Sequence, residues 1–366
     1  MTLRLPSVRL EPRTVVPRWL SPLATVAAVA VALIISGIII AMVGGDPVLS
    51  YLHILNAAFG SVGVLSDTLV KATPLLLTGL ACALAFRMRL WNIGAEGQFL
   101  LGAWGASAVV LAPLLPAGTP AIIVIPAMML AGAAAGAVWG LIPGVLKARL
   151  GVNEIITTLM LNYVALFWIQ FWVFGPWSEG GFQQTRPFPP EALLPRLTDF
   201  SSSVPAFAGL TVHLGLVFGI VAAGIVWVVL ERSRWGYEIR LIGDSPKAAR
   251  YAGIDIKRNI IVVFAISGAL AGLAGMSEVS GVVHKLQDRI SPGYGFTAII
   301  IAYLARFDPL KVIVAAVLFG ALILAGREIQ PSGVPAMIQG IILFSLIVAE
   351  VFVRYRVRFE RQAVLV

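Results

Sequence analysis

The sequence predicts an all-α, polytopic membrane protein of about ten transmembrane helices. Three observations carry that expectation. Of 366 residues, 59% are hydrophobic and only 12% charged, whereas a soluble domain has about 25% charged residues. Apolar runs near the about 20 residues needed for one crossing recur along the chain. The 27 Lys+Arg are unevenly shared between alternate connecting segments. This composition excludes an ordinary soluble enzyme and a disordered chain, and leaves little room for a separate soluble domain.

Residues 1–19 carry Arg4, Arg9, Arg13 and Arg18, and an apolar run follows from Leu20 to Val43. That run exceeds the about 7–15 residues of a signal-peptide core, so it reads as an uncleaved first span. Its basic flank places the N-terminus on the cytoplasmic side. Further apolar segments cover 70–86, 94–115, 120–145, 155–174, 211–230, 260–282, 294–305, 310–326 and 334–353. The 294–305 segment is short for a crossing, as in a broken helix.

Alternation then puts Arg87 and Arg89, Lys147 and Arg149, the basic residues from Arg232 to Arg258, Arg306 and Lys311, and those from Arg354 to Arg361 inside. Only Lys71, Arg186, Arg196, Lys285, Arg289 and Arg327 fall outside. The expected organisation is a cytoplasmic segment 1–19, a membrane domain 20–353 and a cytoplasmic tail 354–366. The positive-inside asymmetry accounts for the net charge of +9 without a nucleic-acid partner, and membrane lipid covers the apolar surface.

Two connecting segments are long. The outer one, about 175–210, is rich in Pro, Ser and aromatic residues and reads as an ordered lid or docking surface. The inner one, 231–259, is the most charged stretch of the chain. Within it Asp244, Ser245 and Pro246 read as cap and first turn of a helix over Lys247–Tyr251 that stops at Gly253. Gly132, Gly136, Gly140 and Gly144 share one helix face, and Gly268 and Gly272 repeat the spacing, which predicts close helix packing.

No catalytic constellation is present in the sequence. His53, His213 and His284 are scattered, Cys82 is the single cysteine, and no lysine follows a glycine, so no Walker A loop exists. No metal site and no cofactor are expected, and any driving energy must come from an ion gradient or another subunit. Polar residues interrupt the apolar pattern at three places. Asn92, Glu96 and Gln98 open the 94–115 segment, where a carboxylate near hydrocarbon needs a partner or a cavity. They suit either a site for a polar, uncharged solute or a polar cap that holds the fold. Asn162 and Tyr163 lie inside the 155–174 segment behind Asn153 and Glu154, which read as its cap. Ser291–Phe296, with one proline and two glycines, interrupts helix before the short segment and brings Tyr294 to its start.

The segments WNIGAEGQFLLGAW, NEIITTLMLNY, GDSPKAARYAGI and SPGYGF, in this order, resemble the permease subunits of bacterial ABC importers in the branched-chain amino acid, ribose and nucleoside group. The N-I-G-x-E-G-Q form is similar to the nucleoside, or simple-sugar, branch. The resemblance spans about Lys71 to Glu350 and implies an ABC-importer type of transmembrane domain in the bacterial inner membrane. It also implies cytoplasmic ATP-binding subunits, a second permease completing a heterodimer and an extracytoplasmic substrate-binding protein. Asn92, Glu96, Gln98, Asn162, Tyr163 and Tyr294 would then lie along the substrate pathway. Gly243, Asp244, Ser245, Pro246, Ala248, Ala249, Tyr251 and Gly253 would form the loop that couples to the ATPase. The alternatives are a monosaccharide or branched-chain amino acid permease and, from another class, an ion-coupled secondary transporter.

Overall fold

The computed structural model describes residues 7–13, 17, 19–112, 114–116, 118–326 and 333–360. Arg4, Arg18, Arg327 and Arg361, used above in the charge pattern, lie outside the described residues. The chain divides into two compact units, Met1–Leu52 with Ile329–Val366, and His53–Glu328.

In the first unit α1 (Leu20–Met42) packs against α13 (Val334–Arg354). Strands β1 (Ser7–Pro12) and β2 (Tyr355–Glu360) pair antiparallel, with Ser7 opposite Glu360. This ladder was not expected in an all-α chain: its hydrogen bonds join residues more than 300 positions apart, beyond the reach of local periodicity. Helix α2 (Pro47–Phe59) begins in this unit, capped by Asp46 Oδ1, which accepts from the Val48 and Leu49 amides. The sequence reading had no helix here, because 13 residues is short for a span.

The second unit contains α3 (Val62–Arg87), α4 (Ala95–Leu111), α5 (Ala121–Val145), α6 (Glu154–Phe174), α7 (Gly215–Arg232), α8 (Arg234–Asp244), α9 (Pro246–Tyr251), α10 (Ile256–Glu278), α11 (Tyr294–Leu304) and α12 (Pro309–Ala325). Side-chain neighbours fix their directions. Gly94 and Gly97 of the α4 start meet Thr158 and Asn162, so α4 runs parallel to α6. Gly97 faces Trp139 while Gly105 faces Ala131, so α5 runs back. In the same way α10 opposes α5, α3 opposes α10, α7 and α11 follow α3, and α12 opposes it. The long helices therefore alternate from α3 to α12. One end of this unit collects the links bearing Arg87, Arg89, Lys147, Arg149, Arg306, Lys311 and the whole 232–258 charge run, and the other end the links bearing Arg186, Arg196, Lys285 and Arg289.

Helix α3 starts eight residues earlier than the apolar run from residue 70. Its polar first turns escape the hydropathy signal because their partners are distant: Thr211 donates to Asp67 Oδ1 at 2.6 Å, and the Thr211 amide to Ser66 Oγ at 2.8 Å. Helix α3 is the most buried of the spans, and the tightest packing of the unit is the glycine seam of α4, α5 and α10. A Cβ added at Gly136 would strike the Gly268 carbonyl oxygen, and one at Gly102 or Gly132 would press on Gly272. Only residues without a side chain allow this approach, which maximises dispersion where no hydrophobic effect drives helices together. Gly268→Ala is expected to lose about 1–3 kcal/mol to overpacking. Gly224→Ala, which meets open space, is the control. Thermal melting in detergent should lower the first and leave the second unchanged.

Candidate functional site

The polar interruptions converge on one place. Helix α3 ends at Arg87, Arg89 turns the chain at φ 57, and residues 90–94 climb back so that the Asn92 carbonyl lies 4.0 Å from Cys82 Sγ. Helix α4 therefore starts inside the bundle. Asn92 and Gln98 form a reciprocal amide pair at 2.9 and 3.1 Å, and Asn92 also donates to Ser267 Oγ on α10 at 2.9 Å and accepts from the Gly94 amide. Asn162 on α6 clamps the same turn, accepting from the Gly97 amide at 2.8 Å and donating to the Ile93 carbonyl at 2.9 Å.

Helix α11 enters from the opposite end, behind Pro292 and Gly293, which sits at φ 96. Ser291 Oγ accepts from the Gly293 and Tyr294 amides at 3.0 Å. Glu96 Oε2 accepts from the Gly295 amide at 2.7 Å. A Cβ at Gly295 would run into the Glu96 backbone. Two helix N-termini thus abut, and one carboxylate sits in the first turn of α4 while capping α11. Each N-terminus carries roughly half a positive charge, so an anion at the join answers both.

Asn92, Glu96, Gln98, Asn162 and Tyr294 are brought together and buried. Tyr163 is not: it is 54% exposed on the outer face of α6. Sequence reasoning missed Lys71 and Glu278, a charge in the middle of α3 and the charge ending α10. They meet at 3.4 Å, with Tyr294 Oη 3.3 Å from Glu278 Oε1. Two isolated charges in separate apolar runs were the available signal, but their proximity is tertiary.

The 231–259 segment is more structured than expected. Helix α8 was missed, although Trp235, Ile239 and Ile242 mark its inner face and Ser233 Oγ caps it through the Gly236 amide. Trp235 Nε1 donates to Asn259 Oδ1 at 2.6 Å, and Gly243 lies against the Arg87 carbonyl. Asp244 closes α8, where a cap for the next helix was expected; Ser245 alone caps α9, its Oγ accepting from the Ala248 amide at 3.3 Å, with Pro246 behind it. Gly253, at φ 74, ends the turn, and the Ile254 amide returns to the Ala249 carbonyl at 3.0 Å. Ala249 is buried, Ala248 exposed, and Tyr251 projects with 94% exposure.

A family model for the permease component of branched-chain amino acid transport systems matches residues 64–350. The chain belongs to this permease family. It is similar to the glucose ABC transporter permease protein of Haloferax volcanii, 38% identical over 97% of this chain and 95% of that one. The guanosine ABC transporter permease protein of Bacillus subtilis is 35% identical over 88% of this chain and 91% of its own length. The nucleoside ABC transporter permease protein of Lactococcus lactis is 32% identical over 87% and 88% respectively. No solved structure matches. The permease is accordingly a multi-pass transmembrane subunit, and the matched region contains the polar join, the glycine seam and α8–α9.

In this permease the 175–214 segment folds onto the end of α10. Short 3-10 turns at Pro190–Ala192, Leu197–Phe200 and Pro205–Phe207 shape it. The Thr185 amide donates to the Leu286 carbonyl and the Phe188 amide to the His284 carbonyl, both at 2.8 Å. Arg196 Nη2 donates to the Gly281 carbonyl at 2.8 Å and lies 2.5 Å from His284 Nε2. His213 Nδ1 accepts from the Gly215 amide at 3.1 Å, its ring wedged beside Gly215 and Gly281. Among the described residues no cluster of His, Cys, Asp and Glu has metal-binding geometry.

Two tests follow from these contacts. Glu96→Ala leaves the Gly295 amide buried and unmet, costing about 1–3 kcal/mol, while Glu96→Gln retains an acceptor and should lose less; melting temperatures of both variants check the order. Burial, then the charges of Arg196, His284 and Lys71, push the His213 pKa down to about 4 from an ordinary 6.5. The folded protein therefore binds fewer protons than the unfolded chain between these values, so stability is complete above about pH 6.5 and falls as the pH drops toward 4. The loss attributable to His213 is at most about 2–3 kcal/mol by pH 4.5. His213→Asn should flatten that part of the melting-temperature profile between pH 7 and 4.5.

Proposed function

We propose that this permease is the membrane subunit of an ATP-driven importer for nucleosides, working with cytoplasmic ATP-binding subunits, a second permease and an extracytoplasmic substrate-binding protein. The observation that carries the proposal is near-full-length similarity to guanosine and nucleoside ABC permeases, joined to a short, capped helix exposed at the basic end of the bundle. Both termini would face the cytoplasm with that basic end, by the preference of Lys and Arg for inside links. The β1–β2 pairing supports an even number of crossings between them.

ATP-driven rearrangement would enter through α9. Helix α8 packs on the ends of α3 and α7 and is hydrogen-bonded through Trp235 and Glu238 to Asn259 at the start of α10, so a push on α9 would pass to those helices. Gly243, Asp244, Ser245, Pro246, Ala249 and Gly253 build this projection, and Tyr251 with Ala248 offers it to the ATPase. Asn92, Glu96, Gln98, Asn162 and Tyr294 would support the pathway by holding the α4–α11 join in register, and Tyr163 would face the second permease.

A monosaccharide permease is the second reading, favoured by the 38% identity to a glucose permease. The motif at 92–98 does not separate the two, because its amides are engaged with one another and with backbone. Expression with the partner subunits, followed by ATP-dependent uptake of labelled guanosine competed by uridine, glucose, ribose and leucine, separates them. Competition by uridine alone is expected; competition by the sugars would transfer the assignment to the second reading, and uptake without ATP would reject the importer. Tyr251→Asp should keep the fold and remove substrate stimulation of ATP hydrolysis by at least tenfold. Ala249→Asp, which buries a charge, should disrupt α9 itself.

A further inference from the structure

Lys71 on α3, Glu278 on α10 and Tyr294 on α11 form a buried triad that the features above do not require for packing. Lys71 is 7% exposed, Glu278 2% and Tyr294 0%. Charges at this depth are costly, and replacing a buried ion pair by apolar side chains of similar size is often neutral or stabilising. The geometry is also slack. Lys71 Nζ lies 3.4 Å from both Glu278 Oε1 and Tyr294 Oη, whereas Lys147 meets Glu154 at 2.7 Å, the length of a well-made charged hydrogen bond. Stability alone gives no reason for the pair.

Its position gives one. Glu278 is the last α-helical residue of α10, and a π-turn follows at Val279–Val283. Tyr294 is the first residue of α11, directly after the break at Gly293. Both residues therefore sit at irregular points of backbone, of the kind that recurs at functional sites and in transporter helices. The 175–214 segment grips the chain just beyond Glu278. The Leu194 amide donates to the Ser280 carbonyl at 3.1 Å, Ser280 Oγ donates to the Ala192 carbonyl, and Arg196 donates to the Gly281 carbonyl. The surface segment is thus tied to the turn that directly follows Glu278.

Resting on the transport reading above, we propose that Lys71, Glu278 and Tyr294 are the releasable closure of the solute route on the 175–214 side. In the closed state the ion pair holds α10 and α11 against α3. When the segment is drawn outward the pair parts, and the ammonium, carboxylate and phenol turn to the hydroxyl and amide groups of a polar, uncharged solute. The charges are kept because their bond must be exchangeable; an apolar contact in the same place has nothing to offer the solute.

The test uses the full permease expressed with its ATP-binding, second permease and substrate-binding partners. Lys71→Met combined with Glu278→Met should assemble at wild-type yield and keep basal ATP hydrolysis within twofold. Its ATP-dependent uptake of labelled guanosine and glucose should fall at least tenfold. Tyr294→Phe, which keeps the ring, should lower uptake about threefold to tenfold with assembly unchanged. Uptake by the double variant within twofold of wild type would overturn the closure, and so would failure of the double variant to assemble, since the pair would then be a stability element. Failure of the transport reading itself shows separately, as wild-type complex that takes up neither probe.

Discussion

The structure depends on how two helices can begin inside a membrane-spanning bundle. The first N–H groups of a helix have no partner in the helix, and lipid supplies none. At the α4–α11 join the protein supplies them from side chains: Asn162 for Gly97, Asn92 for Gly94, Ser291 for Tyr294 and Glu96 for Gly295. Without these acceptors both starts would have to retreat to the ends of the bundle. Glu96 links the two starts, because it lies in the first turn of α4 and accepts from the Gly295 amide of α11.

The join also sets the geometry around it. With α4 starting inside, its Gly102 reaches Gly272 of α10, and Gly132 and Gly136 of α5 complete a three-helix seam. The seam is tight, with backbone set against backbone at Gly102, Gly136, Gly268 and Gly272, so α4, α5 and α10 interlock. Helices α3 and α11 meet that body through polar contacts: Ser267 with Ala81 at 2.7 Å, Glu96 with Gly295, and the Lys71 triad. Polar contacts can exchange partners, but Gly295 of α11 also lies as tightly against the Glu96 backbone of α4 as the seam glycines lie against one another. On the transport reading, α3 is the side on which alternating access would open this body, and α8–α9 touches both α3 and α10 at the basic end.

Much of this was legible in the sequence for a physical reason. Long apolar runs report spans because burial in lipid is a local demand, and fourfold glycine spacing reports close packing because one helix face is a local property. Alternating basic links ordered α3 to α12 correctly for the same reason. Several of the elements that were missed depend on remote partners: β1 on β2, the first turns of α3 on Thr211, and Lys71 on Glu278, whereas α2 was missed because it is short for a span. Helix α8 carried its own signals in Ser233 and the Trp235–Ile239–Ile242 face, but its charge concealed them. The polar motif at 92–98 was found at once, yet its meaning was not: a solute site and a helix cap call for the same amides and carboxylate. Only the position of Gly295 and Asn162 shows where those polar atoms are spent.

Side chains satisfy the buried starts of α4 and α11, and amide hydrogen exchange reads out that protection residue by residue. In the detergent-solubilised or nanodisc-embedded permease, the amides of Gly97 and Gly295 should be protected to the degree of mid-helix amides in α10. Asn162→Ala should release Gly97 alone. Exchange of Gly97 and Gly295 at rates typical of the exposed links, in the unaltered protein, would contradict the account.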